Sequence, residues 1–165
     1  MNPILEKEPV KRAEKSIKEF DQNLEVICLK KTARTAQDAA TALGCNVGAI
    51  VKSLLFRMGK SFVLCLVSGD KRCSLNKLKK ILDEKDVSMA KPDDVKKITG
   101  YTIGGVSPVG HLSKVKIYID TNLERFKTVF AAAGHPNCVF KIEFNQLTKL
   151  TSGEIKEITE WDNQN

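Results

Sequence analysis

The chain has 165 residues, 42% of them hydrophobic, and this length and composition are typical of one globular domain. No apolar run approaches the roughly 18 residues of a membrane helix, and the polar stretch Met1–Glu8 is unlike an export signal. We therefore expect a cytoplasmic protein with no membrane partner. Five scattered cysteines and two distant histidines predict neither a disulfide framework nor a metal site. The net charge of +7 favours a polyanionic partner.

The N-terminal part of the chain predicts two helices and a strand. Apolar residues recur at helical spacing and predict an amphipathic N-terminal helix within residues 1–24, through Val10, Ala13, Ile17, Phe20 and Leu24. Val26–Leu29 then predicts a short strand. Thr35 is placed to cap a second helix, and Gly44 is placed to end it.

A helical turn followed by a hairpin is predicted next. Asn46 is expected to cap a further helical turn that carries Lys52. The apolar runs Leu54–Met58 and Phe62–Val67 are separated by Gly59 and its neighbouring lysine, which predicts two antiparallel strands joined by a tight turn.

The second half of the chain predicts two capped helices, three strands and a short helix. Ser74 is placed to cap one helix, and Pro92 and Gly100 bracket another. Three strands are then predicted, over Val115–Ile119, Thr128–Ala132 and Cys138–Ile142. A short helix is predicted over Phe144–Leu150, and the polar tail 162–165 is expected to fray.

The order of these elements indicates the fold class. Helices and strands are interleaved irregularly, with several hairpin-like neighbours, and no repeat, low-complexity segment or linker divides residues 1–165. We therefore expect a single domain with an α+β fold, in which a mixed, partly barrel-like sheet is flanked by helices.

Residues 100–111, Gly-Tyr-Thr-Ile-Gly-Gly-Val-Ser-Pro-Val-Gly-His, form a glycine-rich segment, the glycine loop. Four glycines and one proline in twelve residues argue against a helix or a central strand. The backbone N–H groups from Gly104 to Pro108 are expected to hold an anion or a developing oxyanion. A purely structural turn is the alternative. Ser107 lacks the Gly-x-Ser-x-Gly setting of a nucleophile.

Two further positions are candidates for a functional site. Lys52 is a positive charge within the apolar run Ile50–Phe56, and lysine is rarely buried without a partner. It is either a lysine whose ammonium reaches the surface or an anchor for a phosphate or carbonyl oxygen in a cleft. Gly134 and Pro136 flank His135 and predict a turn that presents the imidazole to a pocket, unless this histidine is structural.

Lys52 in its apolar frame, the glycine loop and the segment Ala133–Pro136 occur in the same order in the YbaK family, which this chain resembles. That family includes the editing domain of bacterial prolyl-tRNA synthetase and its free-standing relatives, the ProXp proteins. The resemblance runs from about Thr35 to about Ile158, so residues 35–158 are expected to form the family core. It implies a mixed sheet, partly closed into a barrel and flanked by helices.

The resemblance also implies an activity, the hydrolysis of the ester that joins a wrong amino acid to the 3′ end of a tRNA. Lys52 matches the family's essential lysine and is expected to position the substrate, while backbone amides near Gly105 and Val106 support the oxyanion. Substrate-binding roles are expected at Gly104, Val106, Ser107, Pro108, Gly110, His111, Gly134, His135 and Pro136. The ribose hydroxyl of the tRNA is expected to activate the attacking water, because no convincing protein base is present.

The expected partner is the acceptor end of a tRNA, usually proline tRNA, with prolyl-tRNA synthetase as a further partner, a monomeric state and no cofactor. The amino acid that is removed stays open between alanine, cysteine, serine and threonine. Alanine is the first expectation, because His135 resembles the histidine of the alanine-specific relatives. Proline is expected to be excluded by its shape and its secondary amine.

Two other classes of function stay open. One is a non-catalytic module with the same fold that binds tRNA or a synthetase, and the presence of Lys52 and of the Gly-Gly-Val-Ser-Pro motif argues against it. The other is a small-molecule hydrolase unrelated to tRNA, and the lack of a visible catalytic triad argues against it. Tyr101 and Phe56 either line the pocket or belong to the core.

Overall fold

The computed structural model describes residues 2–30, 33 and 35–162, and these form five α-helices and ten strands. The helices are α1 (Glu8–Phe20), α2 (Ala36–Leu43), α3 (Leu75–Leu82), α4 (Pro92–Thr99) and α5 (Phe144–Thr151). The strands are β1 (Val26–Cys28), β2 (Ile50–Met58), β3 (Ser61–Ser68), β4 (Lys71–Cys73), β5 (Val87–Met89), β6 (Lys116–Asp120), β7 (Thr128–His135), β8 (Cys138–Glu143), β9 (Glu154–Lys156) and β10 (Thr159–Trp161). Short 3-10 turns cover Pro3–Glu6, Val47–Ala49 and Thr121–Arg125.

One mixed sheet holds most of the strands, in the order β1-β8-β7-β2-β3-β6-β9, with β5 also paired to β2. The pairs β2–β7, β3–β6 and β6–β9 are parallel, and the other pairs of this sheet are antiparallel. Strands β4 and β10 form a separate antiparallel ladder. The prediction of a mixed sheet flanked by helices is confirmed.

Helix ends follow the capping residues that the sequence predicts. The side-chain oxygens of Thr35 and Ser74 accept hydrogen bonds from the first turns of α2 and α3. Gly44 and Gly100 end α2 and α4 in the left-handed conformation. Capping depends on residues that are close in sequence, so tertiary contacts do not change where these helices begin and end.

Strand β2 contains Lys52, and the prediction that a helical turn carries this residue is wrong. The turn capped by Asn46 covers only Val47–Ala49. It ends there because Ile50 and Val51 already pair with β7. The backbone is therefore extended at Lys52, and side chains along β2 alternate between the two faces of the sheet.

Strand β2 also changes partners along its length. On one edge it pairs with β7 through Ile50 and Val51, and with β5 through Phe56–Met58. Between these two pairings, the Leu55 carbonyl accepts a hydrogen bond from the Ala90 N–H at 3.0 Å. No described strand pairs with residues 52–55 on this edge, so the sheet is open there.

Helix α1 packs against β7 with one apolar face. Val10, Ala13 and Ile17 have no exposed surface, and full burial of a valine or isoleucine side chain contributes about 1.5–3 kcal/mol. The helix ends at Phe20, before the predicted limit of residue 24, because Asp21 takes an extended conformation.

Four strands of three residues each, β4, β5, β9 and β10, were not predicted. The β4–β10 ladder joins the segment after β3 to the end of the described chain, and it pairs Trp161 with Lys71. Of the tail expected to fray, residues 163–165 lie outside the described residues. Asp162 borders a cavity beside β2.

Candidate active site

A cavity of about 510 Å³ opens beside β2, where that strand lacks a neighbour between β5 and β7. Its walls come from α2, β2, the glycine loop and the turn after β7. Small apolar side chains dominate these walls, among them Ala36, Ala39, Ala90, Val106 and Ala132. Polar side chains are contributed by Thr35, Gln37, Lys52, Ser53 and Asp162. A mostly apolar cavity with a few polar groups is the usual form of a small-ligand site.

Lys52 supplies a half-buried cation to the cavity floor. Its ammonium donates a hydrogen bond to the carbonyl oxygen of Lys71. Burial lowers the pKa of Lys52 from its usual 10.5, while the carboxylates of Asp162, Asp70 and Asp120 act to raise it. In these surroundings the ammonium attracts an anionic oxygen more strongly than it would in water.

The glycine loop forms another wall, through Gly104 and Val106. Gly104 has a φ of +91°, which glycine adopts without strain. The Gly105 N–H donates to the Thr102 carbonyl at 2.9 Å, so it is already occupied. The Val106 N–H has no hydrogen-bond partner among the described residues. The same holds for the Gly104 N–H, so both residues of this loop that line the cavity have N–H groups that no described residue engages.

Arg12 of α1 holds both ends of the glycine loop. Its Nε donates to the Gly110 carbonyl at 2.8 Å, and its Nη2 donates to the Gly100 carbonyl at 2.8 Å. The guanidinium also lies over the Tyr101 ring, 4.6 Å from the ring centroid. Glu8, one helical turn away, forms an ion pair with it. Helix α1 thus fixes the loop through a single side chain.

Two side chains of the loop itself add to this support. The Tyr101 hydroxyl donates to the Val109 carbonyl at 2.8 Å. His111 Nε2 lies 2.7 Å from the Ser107 carbonyl oxygen, which can only accept, so Nε2 carries the proton. Burial lowers the pKa of His111 below its usual 6.5, and the Arg12 charge acts in the same direction, while the Ser107 carbonyl opposes them. His111 thus connects two residues of the glycine loop through its ring.

The end of β7 packs directly against the glycine loop. The Gly134 N–H donates to the Gly105 carbonyl at 3.1 Å. A Cβ on Gly105 would lie 2.9 Å from the Cα of His135, so only glycine fits there. His135 Nδ1 accepts a hydrogen bond from the Asn137 N–H at 3.0 Å, which leaves the proton of a neutral ring on Nε2. Burial, aided by the Lys7 charge, lowers the pKa of His135.

Of the site residues predicted from the sequence, Lys52, Gly104, Val106 and Pro136 line the cavity. The others belong to the glycine loop or to the end of β7 and do not line it: Gly105, Ser107, Pro108, Gly110, His111, Gly134 and His135. Tyr101 and Phe56 are both buried in the core, which decides the alternative left open for them.

Three residues of this region were missed from the sequence. Ser53 follows Lys52 on the cavity floor, and its hydroxyl is buried with no hydrogen-bond partner among the described residues. Asp162 borders the cavity from a tail that looked featureless. Arg12 looked like an ordinary helix residue, because its partner Gly110 is 98 positions away in the chain.

Within the part of the chain that the structure describes, no three His, Cys, Asp or Glu side chains are grouped so that they could hold a metal ion. None of its helices is long and apolar enough to cross a membrane.

The family model of the aminoacyl-tRNA editing domain matches residues 30–150. The chain therefore belongs to the aminoacyl-tRNA editing domain family, and the resemblance noted from its motifs is confirmed. Helix α1 and strand β10 lie outside the matched residues.

Known structures and proteins agree with this placement. A solved structure proposed to be a trans-editing enzyme for prolyl tRNA synthetase superimposes with a TM-score of 0.89 at 35% identity, covering 93% of this chain and 98% of that one. A proposed Cys-tRNA(Pro)/Cys-tRNA(Cys) deacylase, EbsC of Enterococcus faecalis, is 29% identical over 126 residues, which is 76% of this chain and 77% of that protein.

The proline–tRNA ligase of Caldicellulosiruptor bescii is 29% identical over 132 residues, which is 78% of this chain. The match covers only 22% of that ligase. The likeness thus concerns one part of the larger enzyme.

Proposed function

We propose that the protein hydrolyses the ester bond of a mischarged aminoacyl-tRNA, acting in trans on proline tRNA. The observation that carries this proposal is that Lys52 lines the same mostly apolar cavity as Gly104 and Val106, whose N–H groups have no hydrogen-bond partner among the described residues. A cation and a preorganised amide are the groups that stabilise negative charge on an ester during acyl transfer. The family and its named relatives supply the tRNA ester as the substrate class.

In the proposed reaction, water oxygen bonds to the ester carbonyl carbon, and the carbonyl electron pair moves onto its oxygen. The Val106 N–H donates to this oxyanion, and Lys52 holds the terminal adenosine phosphate or the ester region in place. The oxyanion then collapses, and the bond from carbon to ribose oxygen breaks. The water proton ends on that ribose oxygen, so the products are the free amino acid and an intact tRNA 3′ end.

The base in this reaction is proposed to be the neighbouring ribose hydroxyl of the tRNA. His135 is the histidine beside the glycine loop, but its Nδ1 already accepts the Asn137 N–H and its Nε2 carries the proton of a neutral ring. His111 is likewise committed to the Ser107 carbonyl. An aminoacyl ester is already activated, so positioning and charge stabilisation supply enough of the rate.

The proposed amino acids are small and uncharged: alanine, cysteine, serine or threonine. Five alanine residues contribute to the apolar lining of the cavity: Ala33, Ala36, Ala39, Ala90 and Ala132. Apolar pockets discriminate one methylene by only about 1–3 kcal/mol, so a dedicated second site is needed after mischarging.

We also propose that residues 1–165 act as one domain and as a monomer, with prolyl-tRNA synthetase as a further partner. The Arg12 contacts with the glycine loop support the first point, because they join the N-terminal helix to the site.

The proposal is tested with proline tRNA charged separately with alanine, cysteine, serine, threonine or proline. Each species is incubated with the wild-type protein and with Lys52→Ala, and the remaining ester is measured over time. We expect loss of at least one mischarged species, no loss of prolyl-tRNA, and hydrolysis slowed about a hundredfold or more in Lys52→Ala.

Lys60→Ala is the matched control, because it removes an exposed lysine from the β2–β3 turn. This variant is expected to keep wild-type rates. Saturable tRNA binding without hydrolysis of any species would contradict the proposal and favour a binding module. Hydrolysis of small esters that tRNA leaves unchanged would favour a small-molecule hydrolase.

A further inference from the structure

Trp161 is a large apolar side chain that the fold leaves exposed at a fixed position. It is 62% exposed, although the Lys71 ammonium lies over its ring, 2.9 Å from the ring centroid. Lys71 itself is only 6% exposed. The cation therefore occupies the protein side of the indole, and the exposed area belongs to the opposite face and the edge.

Trp161 lies next to the cavity at the end occupied by Lys52. The Lys52 ammonium donates to the backbone carbonyl of Lys71, the residue paired with Trp161 in the β4–β10 ladder. Asp162, which follows Trp161, lines the cavity. Trp161 is therefore the chain neighbour of a residue that lines the site.

The strand that carries Trp161 is held by polar contacts on its other residues. The buried Thr159 hydroxyl donates to Asp120 at 3.0 Å. Glu160 forms an ion pair with Arg72 of β4. Because these contacts order the strand in advance, placing a ligand against the indole costs little additional conformational entropy.

We propose that Trp161, backed by Lys71, is a stacking site for an unpaired base at the 3′ end of the tRNA. This inference rests on the proposed function, since it assumes that the aminoacylated ribose enters the cavity at Lys52. The nucleotides next to that ribose are single-stranded and must leave the cavity across its rim. Exposed aromatic rings beside cations are the usual surfaces on which single-stranded bases stack.

The cation that contacts the ring is Lys71, because Arg72 is paired with Glu160. Attraction for a nucleic acid therefore comes from Lys71 and from the net charge of +7 of the whole chain. A cation on one face of the indole draws electron density from the ring and strengthens stacking with an electron-rich purine on the other face.

The chain offers a direct test, because Trp161 is its single tryptophan. Indole emission is followed while the protein is titrated with the uncharged trinucleotide CCA and, separately, with an uncharged acceptor-stem minihelix ending in CCA. We expect saturable quenching by both RNAs. The minihelix without its three terminal nucleotides is expected to cause no quenching. Emission that stays constant while a labelled minihelix binds would overturn the inference.

Substitutions give a second readout, the affinity for the labelled minihelix measured by anisotropy. Trp161→Ala is expected to weaken binding about tenfold, the usual effect of removing one stacking aromatic, and Trp161→Phe is expected to keep most of the affinity. Phe20→Ala removes another exposed aromatic, at the end of α1, and is expected to change nothing. Equal affinities for wild type and Trp161→Ala would show that the indole is only a structural partner of Lys71.

The test separates this inference from the proposed function. Lys52→Ala is expected to slow hydrolysis about a hundredfold or more and, at saturating RNA, to reach the quenching of the wild type, with a higher Kd because the proposed phosphate contact is lost. If the wild type quenches on binding but hydrolyses no ester, the stacking site stands and the enzymatic proposal fails. The opposite result is hydrolysis by the wild type with no change of indole emission on binding, together with a wild-type KM in Trp161→Ala. In that case the enzymatic proposal stands and the stacking site fails.

Discussion

The two walls of the cavity are built in different ways. The floor belongs to β2, where Lys52 lies within an eight-pair ladder with β3. The glycine loop contains no strand, and its shape depends on hydrogen bonds to its carbonyl groups from the Arg12, Tyr101 and His111 side chains and from the Gly134 N–H at the end of β7. A sheet strand keeps its shape when one side chain is removed, whereas a loop held by a few side chains does not.

Substitutions in the two walls are therefore expected to remove different things. At the floor, substitution of Lys52 removes a charge and leaves the backbone in place. At the loop, substitution of Arg12 leaves every group that faces the substrate and removes what holds them. Variants of the two regions are therefore expected to differ in stability and in the way activity is lost.

The largest effect on activity is expected from substitution of Lys52 on the cavity floor. Lys52→Ala should lower kcat/KM for the mischarged tRNA about a hundredfold or more, the usual range for loss of one group that stabilises transition-state charge. Stability should not fall, because burial penalises the charged lysine in the folded state, as its lowered pKa indicates. Single-turnover hydrolysis and thermal unfolding measure the two effects. A Lys52→Met variant that unfolds more readily than the wild type would contradict the second.

Arg12→Ala should lower stability, which Lys52→Ala does not, and should lower activity less than Lys52→Ala does. It leaves the Gly100 and Gly110 carbonyls without their charged donor, at a cost of about 1–3 kcal/mol of unfolding free energy. Activity should fall about tenfold as the loop loosens, since positioning errors of this kind carry large rate penalties. Urea unfolding and deacylation rates test this expectation. Lys11→Ala, which breaks the exposed ion pair with Glu6, is the control and should change neither.

Gly104→Ala should produce a smaller loss, through the backbone alone. A Cβ at this position would lie 3.5 Å from Pro136, an ordinary contact, so the cost comes from the φ of +91° and is about 1–2 kcal/mol. Gly59→Ala is the matched control, with a φ of +61° and open space in the β2–β3 turn. Both variants should lose stability, and only Gly104→Ala should lose activity. Equal activities would place the loop outside the site.

The smallest effect concerns pH and His111. The pKa of His111 is lowered in the folded state, so the unfolded chain binds more protons between that pKa and 6.5. Stability should therefore fall as pH drops below about 6.5 toward the folded-state pKa. In His111→Gln, whose amide N–H can still donate to the Ser107 carbonyl, this part of the pH dependence should disappear. Urea midpoints of both proteins across this window measure it.

The sequence predicted the parts of this molecule that depend on local signals. The caps at Thr35 and Ser74, the helix stops at Gly44 and Gly100, and the β2–β3 hairpin are all read from neighbouring residues. The order of Lys52, the glycine loop and Ala133–Pro136 indicated the family.

Contacts between distant residues could not be predicted in the same way. Strands β4 and β10 have three residues each, too few for a periodic pattern, and they exist because they pair with one another. Asn46 caps a helical turn as its residue type predicts, but the turn ends after Ala49 because Ile50 pairs with β7. The role of Arg12 depends on carbonyl groups far along the chain, which no local pattern records.

The central claim is that the floor and the glycine loop act as one unit on one ester. A double-mutant cycle of Lys52→Ala and Gly104→Ala, measured by single-turnover hydrolysis of the mischarged tRNA that the panel identifies, tests it most directly. Residues that act together have non-additive effects, so the double variant should be about as slow as Lys52→Ala alone. If the two rate penalties multiply, the two walls act independently, and the claim is wrong.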